Sequence, residues 1–119
     1  MSAPLKDIKV LDLTHMLAGP YASMIMADLG AEVVKVEPPG KGEITRGLYK
    51  DDPDYSLDGV SPYHITLARN KKSLTLDLKQ QRGKDIFYEL VNKFDVVLDN
   101  FSSGVTERLG IDFDQLKIC

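Results

Sequence analysis

Two β-branched apolar runs with one helical segment between them constrain the fold of this chain more than any other feature. Ile8–Leu13 is β-rich, interrupted only by Lys9 and Asp12, and Glu32–Glu37 carries Val33, Val34 and Val36 before Pro38-Pro39-Gly40 ends it. Between them, Pro20 suits a first helical turn, Ala22, Ile25, Met26 and Leu29 recur at helical spacing, and Gly30 stops the element. Strand, helix and strand within the first 37 residues begin a βαβ unit, which predicts an α/β protein built on a parallel sheet. Met24 and Ala27 leave this helix little polar surface, so it is expected to be well buried.

The pattern resumes after a long excursion. Residues 40–62 collect Gly, Pro, Asp and Tyr without sustained periodicity and read as a surface loop, a length that usually serves function. Ser73–Lys79 then alternates with period two, Leu74, Leu76 and Leu78 facing one way, as in a half-buried strand or extended flap. Arg82–Phe94 changes to helical period through Ile86, Phe87, Leu90, Val91 and Phe94, and Asp95–Leu98 follows as a short buried strand. Ser102-Ser103-Gly104 turns into a short helix over Val105–Leu109, and Asp114–Ile118 starts a further element.

Composition removes several classes of function. The formal charge is −3, spread along the sequence, which argues against a broad cationic surface for nucleic acid or anionic membrane. No stretch approaches the roughly 20 apolar residues needed to cross a bilayer, and the opening MSAPLKDIKV lacks a secretory apolar core. Cys119 is the only cysteine, so neither an internal disulfide, a thiolate zinc cluster nor a CxxC redox pair can form, and no metal site is expected. The reducing cytoplasm is the expected setting.

Three segments carry candidate chemistry. Asp12-Leu13-Thr14-His15 lies at the carboxyl end of a predicted parallel strand, where open α/β sheets place ligand loops; it can serve acid–base chemistry, ligand contact or turn capping. Asn70-Lys71-Lys72-Ser73, enlarged by Arg69, reads either as a solvated charged face or as a phosphate contact. Asn100 and Phe101 stand just past the last strand with an amide edge and a flat apolar face suited to a heteroaromatic ring, with Arg108 one element onward; capping and core filling are the alternative. No GxGxxG turn and no GxxxxGK[ST] loop is present.

The ordered motifs VLDLTHMLAGP, MADLGAEVVKVEPPGKGEITR, ARNKKSLTLDLKQQRGKDIF and DVVLDNFSSGVTERLGIDFDQL resemble the amino-terminal portion of class III CoA-transferases of the CaiB/BaiF type. That group includes formyl-CoA and carnitine-related CoA-transferases, and α-methylacyl-CoA racemase shares the fold. The resemblance covers nearly all 119 residues. It implies a partial Rossmann-like CoA-binding domain over residues 1–119 of a longer protein, whose two identical subunits thread through one another as interlocked rings. Coenzyme A or an acyl-CoA is the implied substrate, with a small carboxylic acid as second partner. On this chain His15, Met16 and Ala18 match the loop near the CoA thiol, and Leu76, Asn100, Phe101, Val105 and Arg108 match positions around the nucleotide. Leu76 and Phe101 would flank adenine, Asn100 would bond ligand or pin its loop, and Arg108 would meet phosphate.

The same resemblance puts the catalytic aspartate beyond Cys119, so no residue of this chain is assigned as catalytic and the segment alone is expected to be inactive. Leu17 stands where formyl-CoA transferases have glutamine, removing an amide that could orient a carboxylate, which weighs against formyl or oxalyl specificity. Pro38 replaces a phosphate-facing arginine of those enzymes, and Ser102-Ser103 a residue–proline pair. Transfer of CoA between carboxylic acids is the leading expectation. An acyl-CoA racemase or epimerase, and a truncated noncatalytic CoA-binding or interaction protein, are the alternatives; the 40–62 excursion resembles the transferases more than the shorter racemase segment.

Overall fold

The computed structural model describes residues 3–119. Its strands are β1 (Lys9–Asp12), β2 (Glu32–Glu37), β3 (Lys72–Thr75) and β4 (Val96–Leu98), and its helices α1 (Ala18–Asp28), α2 (Pro62–Ala68), α3 (Gln81–Val91), α4 (Val105–Leu109) and α5 (Phe113–Leu116). A short 3₁₀ turn spans Ile44–Gly47. The strands form one sheet in the order β3-β2-β1-β4, and every pairing is parallel. Val10 lies opposite Val33 and Val96, and Leu11 opposite Val34 and Val97.

Successive residues of a strand point to opposite faces, and here both faces are covered. Val10 and Val33 pack with Ala27 of α1 and with Ala31 on one side. Leu11, Leu13 and Val36 pack with Phe87 of α3 and with Ile111 on the other. That arrangement is the parallel-sheet α/β architecture expected from the pattern of elements, and it is the Rossmann-like fold that the resemblance implies.

Helix α1 departs from its expected phase. Gly19, Pro20, Ser23, Met24 and Ala27 face inward, while Ala22, Ile25 and Leu29 of the expected stripe are exposed. The helix is apolar nearly all round, so hydrophobicity did not select a face. Close approach did: a Cβ on Gly19 would fall 2.3 Å from Thr14 Cβ, and Ser23 Oγ donates to Asp12 Oδ2. Gly30, at φ +103°, ends the helix as expected.

Residues 40–62 are less irregular than their composition suggests, because Glu43 caps the 3₁₀ turn by accepting from Thr45 N at 3.1 Å. Helix α2 follows and was not foreseen. Ser61 caps it by accepting from His64 N at 3.1 Å, with Pro62 in the first turn. The alternation in Ser73–Lys79 predicts the half-buried Leu74, Leu76 and Leu78 correctly, but the ladder stops near Leu76, whose N–H donates to Glu37 O at 2.9 Å. Asp77 then turns the chain into α3. Gly83 sits on that turn so closely that a Cβ would lie 1.9 Å from Asp77 O.

Candidate functional site

The sheet order places a topological switch between β1 and β4, since the chain leaves β1 toward one edge and returns at β4 on its other side. Ligand crevices in open α/β sheets lie outside the carboxyl ends of the strands at such a point. Leu13 N donates to Leu98 O at 2.8 Å, the last link between these strands before they diverge. The two loops are then rejoined by one side chain: Asn100 Oδ1 accepts from His15 N at 3.0 Å, and Asn100 Nδ2 donates to His15 O at 2.7 Å. The rings of His15 and Phe101 lie 4.8 Å apart, tilted by 56°.

A cleft of about 400 Å³ opens beside this junction. Leu13, Val36, Leu76, Leu78, Phe101 and Leu109 supply apolar wall, and His15, Glu37, Glu43 and Lys79 supply polar groups. Its size and mixed lining suit part of an elongated organic ligand. Of the residues assigned by resemblance, His15, Leu76 and Phe101 line the cleft together, and Asn100 clamps its edge. Met16 is exposed beside it, and Ala18 is the exposed first residue of α1. Val105 and Arg108 lie outside the lining on α4, whose Leu109 does reach it. A second hollow lies by α2, lined by Tyr49, Tyr55, Pro62, Tyr63 and Thr66.

Charged side chains that the sequence did not single out hold the cleft's floor. Glu37, 3% exposed, accepts from Arg46 Nε and Nη2, each at 2.7 Å, from Glu43 N at 2.8 Å and from Ser73 Oγ at 2.7 Å. Burial alone would raise its pKa, but the guanidinium, the backbone N–H and the hydroxyl together hold it down to about 2. Glu43 accepts from Met16 N at 3.0 Å with one oxygen and from Thr45 N and Oγ1 with the other. His64 Nδ1 lies 3.0 Å from Thr45 Oγ1. With the threonine hydroxyl donating to Glu43, its oxygen must accept from His64, which fixes the Nδ1–H tautomer. Burial, seconded by the nearby Arg46 charge, pushes the His64 pKa down and keeps the ring neutral.

Asp12 resolves the alternatives left at the first corner. It is fully buried, and its oxygens take bonds from Thr14 N, Thr14 Oγ1 and Ser23 Oγ, with Lys35 Nζ at 3.6 Å and Lys71 Nζ at 3.2 Å. Burial would raise its pKa, yet Lys35, the two hydroxyls and Lys71 lower it on balance. Asp12 is therefore a structural anion joining β1, α1 and the approach to β3, while Leu13, Thr14 and His15 of the same corner line the cleft. The basic cluster is likewise committed internally. Lys71 is buried on Asp12 and Pro20 O, Lys72 pairs with Glu32 at 2.7 Å, Arg69 pairs with Asp28 at 2.6 Å, and Asn70 Nδ2 donates to Ala27 O. Arg69 and Lys72 thus form a paired, solvated charged face, whereas Lys71, buried on Asp12, fits neither the solvated-face reading nor the phosphate-contact reading. Among the described residues no group of three or more His, Cys, Asp or Glu side chains is placed to hold a metal ion, and no helix is long and apolar enough to cross a membrane.

A parallel sheet in the order 3-2-1-4 with a part-apolar crevice at its switch point defines a Rossmann-like fold, a class whose open sheets take ligands at that point. Comparison with known proteins narrows the class. The model of CoA-transferase family III matches residues 5–118, and the chain belongs to that family. It is 40% identical over 117 residues to the formyl-CoA:oxalate CoA-transferase of Bradyrhizobium sp. (strain ORS 278), covering 98% of this chain and 27% of that protein. The corresponding transferase of Streptomyces coelicolor is 45% identical over 113 residues, covering 95% of this chain and 26% of its own length. Among solved structures, a mutant of Rv3272 from Mycobacterium tuberculosis is 39% identical with a TM-score of 0.87, covering 98% of this chain and 30% of that one. A CAIB/BAIF family protein from Brucella suis is 35% identical with a TM-score of 0.86, covering 99% and 31%. The chain thus spans little more than a quarter of the length of these curated relatives.

Proposed function

We propose that this chain is the CoA-binding part of an enzyme that transfers CoA between an acyl-CoA donor and a small carboxylic acid acceptor. The observation that carries the reading is the cleft at the β1/β4 switch point, with Leu76 and Phe101 on its wall and the His15 loop tied to it by Asn100, in a member of CoA-transferase family III. Leu76 and Phe101 would receive the adenine face, and Arg108 or Lys79 would meet phosphate by charge-assisted bonds. Backbone groups of Met16–Ala18 would position the pantetheine end.

The chemistry proposed for the whole protein is a covalent relay. An aspartate outside this chain attacks the thioester carbonyl, releasing CoA thiolate and forming an acyl-aspartyl anhydride; acyl and CoA groups are then exchanged on that carboxylate in turn. The whole protein would work as a homodimer, and the 119 residues alone would catalyse no transfer. The test is incubation of the full-length protein with labelled acyl-CoA and candidate acids. Acceptor-dependent appearance of labelled new thioester is expected; exchange of the α-carbon proton with solvent, without acceptor use, would replace transfer with racemisation.

A further inference from the structure

We infer that Glu43 is a positioning residue for the pantetheine end of the CoA site, acting through the backbone of Met16. The inference rests on the CoA-binding reading above and adds to it the group that sets the loop's shape. Met16 has φ +69°, a left-handed conformation that disfavours any residue with a Cβ. Such a conformation persists only where its surroundings over-determine it. Here they do so from both sides. Asn100 holds the N–H and C=O of His15, and Glu43 Oε1 accepts from Met16 N at 3.0 Å.

Glu43 is itself fixed. It is 5% exposed, and its second oxygen is occupied by the N–H and hydroxyl of Thr45, which is 1% exposed and lies against His64 of α2. A line of buried polar contacts therefore runs from α2 through the 3₁₀ turn to one peptide N–H at the cleft's rim. Glu43 and His15 both line the cleft, so the latch is part of its wall. The φ of Met16 sets the direction in which Leu17 and Ala18 leave the strand. Without the carboxylate, relaxation of Met16 toward negative φ would turn the 16–18 backbone away from its present course, while the Leu76 and Phe101 wall would stay in place.

The effect should thus fall on one end of the ligand. Calorimetry on the purified protein with two probes, CoA and adenosine 3′,5′-bisphosphate, separates the ends. Glu43→Ala is expected to weaken CoA about tenfold and the bisphosphate less than twofold. Adding Met16→Gly, which adopts positive φ without a latch, should return CoA affinity to within about threefold of the native value. Glu43→Gln, which keeps an amide oxygen in reach of Met16 N, should give the same contrast in smaller form and serves if the alanine variant does not fold. Equal losses for both probes, no loss for CoA, or no recovery with Met16→Gly would each overturn the positioning role while leaving CoA binding intact. Native protein that binds neither probe would remove the CoA reading, and this inference with it.

Discussion

Protonation of Glu37 should dissolve the joint that ties β2 to the 3₁₀ turn, and its cost follows from the surroundings of the carboxylate. Glu37 is 3% exposed and accepts from Arg46, Glu43 N and Ser73, which hold its pKa at about 2 against an ordinary 4.5. Because the folded-state pKa lies below the unfolded one, the contribution to stability is fully present above pH 4.5 and is lost as pH falls through 2. The displacement corresponds to about 3 kcal/mol, at about 1.4 kcal/mol per pH unit. Glu37→Gln keeps the volume, removes the charge and cannot titrate. Urea unfolding of both proteins between pH 7 and 2, by circular dichroism, should show native protein ahead by about 3 kcal/mol at neutral pH, the gap closing toward zero at the acid end. Asp12 and other groups not coupled to Glu37 affect both proteins and cancel in the difference, whereas the Glu37 charge raises the His64 pKa, so titration of His64 leaves its own separate contribution to the difference. Arg46→Met should shrink the gap at neutral pH by raising the Glu37 pKa, but not abolish it, since the N–H and hydroxyl donors remain. A difference that stays constant across the whole range would refute the assignment of stability to this ionised joint.

Other perturbations test separate parts of the structure. Asp12→Asn leaves Lys35 and Lys71 buried without their counter-charge and should destabilise by about 3–5 kcal/mol in the same urea assay. Gly83→Ala drives a Cβ against Asp77 O, a backbone atom that cannot swing aside, and should cost about 1–3 kcal/mol, read as a lower urea midpoint at unchanged slope. Phe101→Ala should weaken adenosine 3′,5′-bisphosphate about tenfold and pantetheine hardly at all, measured by competition against CoA. Asn100→Ala removes both bonds to His15 and should raise the exchange rate of the His15 amide with deuterated water while leaving the amides of α3 protected.

What was legible in the sequence divides along physical lines. β1, β2 and α4 could be placed because their patterns are short-range: β-branched runs, and a glycine on each side of Val105–Leu109. The convergence of His15 with Asn100 and Phe101 was left open by the sequence: both segments follow strands, but it is the pairing of β1 with β4 that sets them side by side. The inward face of α1 was not legible, since its selection depended on Gly19 meeting Thr14 and Ser23 meeting Asp12 rather than on hydrophobic period. Helix α2 was overlooked although Ser61-Pro62 is a start signal, because the acidic and glycine-rich residues before it masked the seven helical ones. The ionic joints were beyond reach of local reading. Lys71 finds Asp12 across 59 residues and Glu43 finds the Met16 N–H across 27, so Lys71 and Glu43, taken alone, read as surface charges.

Those joints also bear on where the chemistry of the proposed relay resides. A carboxylate that attacks a thioester needs an oxygen free to approach a carbonyl carbon. Asp12, Glu37 and Glu43 are the buried carboxylates at the carboxyl end of the sheet, and on each of them both oxygens are bonded to hydroxyl, backbone or cationic donors. The depressed pKa of Asp12 and Glu37 reflects that saturation: the surroundings stabilise the anion in place and make it a poorer nucleophile. They act instead as fixed anchors for the backbone, Asp12 for the strand that delivers His15, Glu37 for the turn that carries Glu43, and Glu43 for the left-handed residue at the rim. Three buried carboxylates thus hold the loops around one cleft, and none of these three has an oxygen free for the attack that the proposed relay requires.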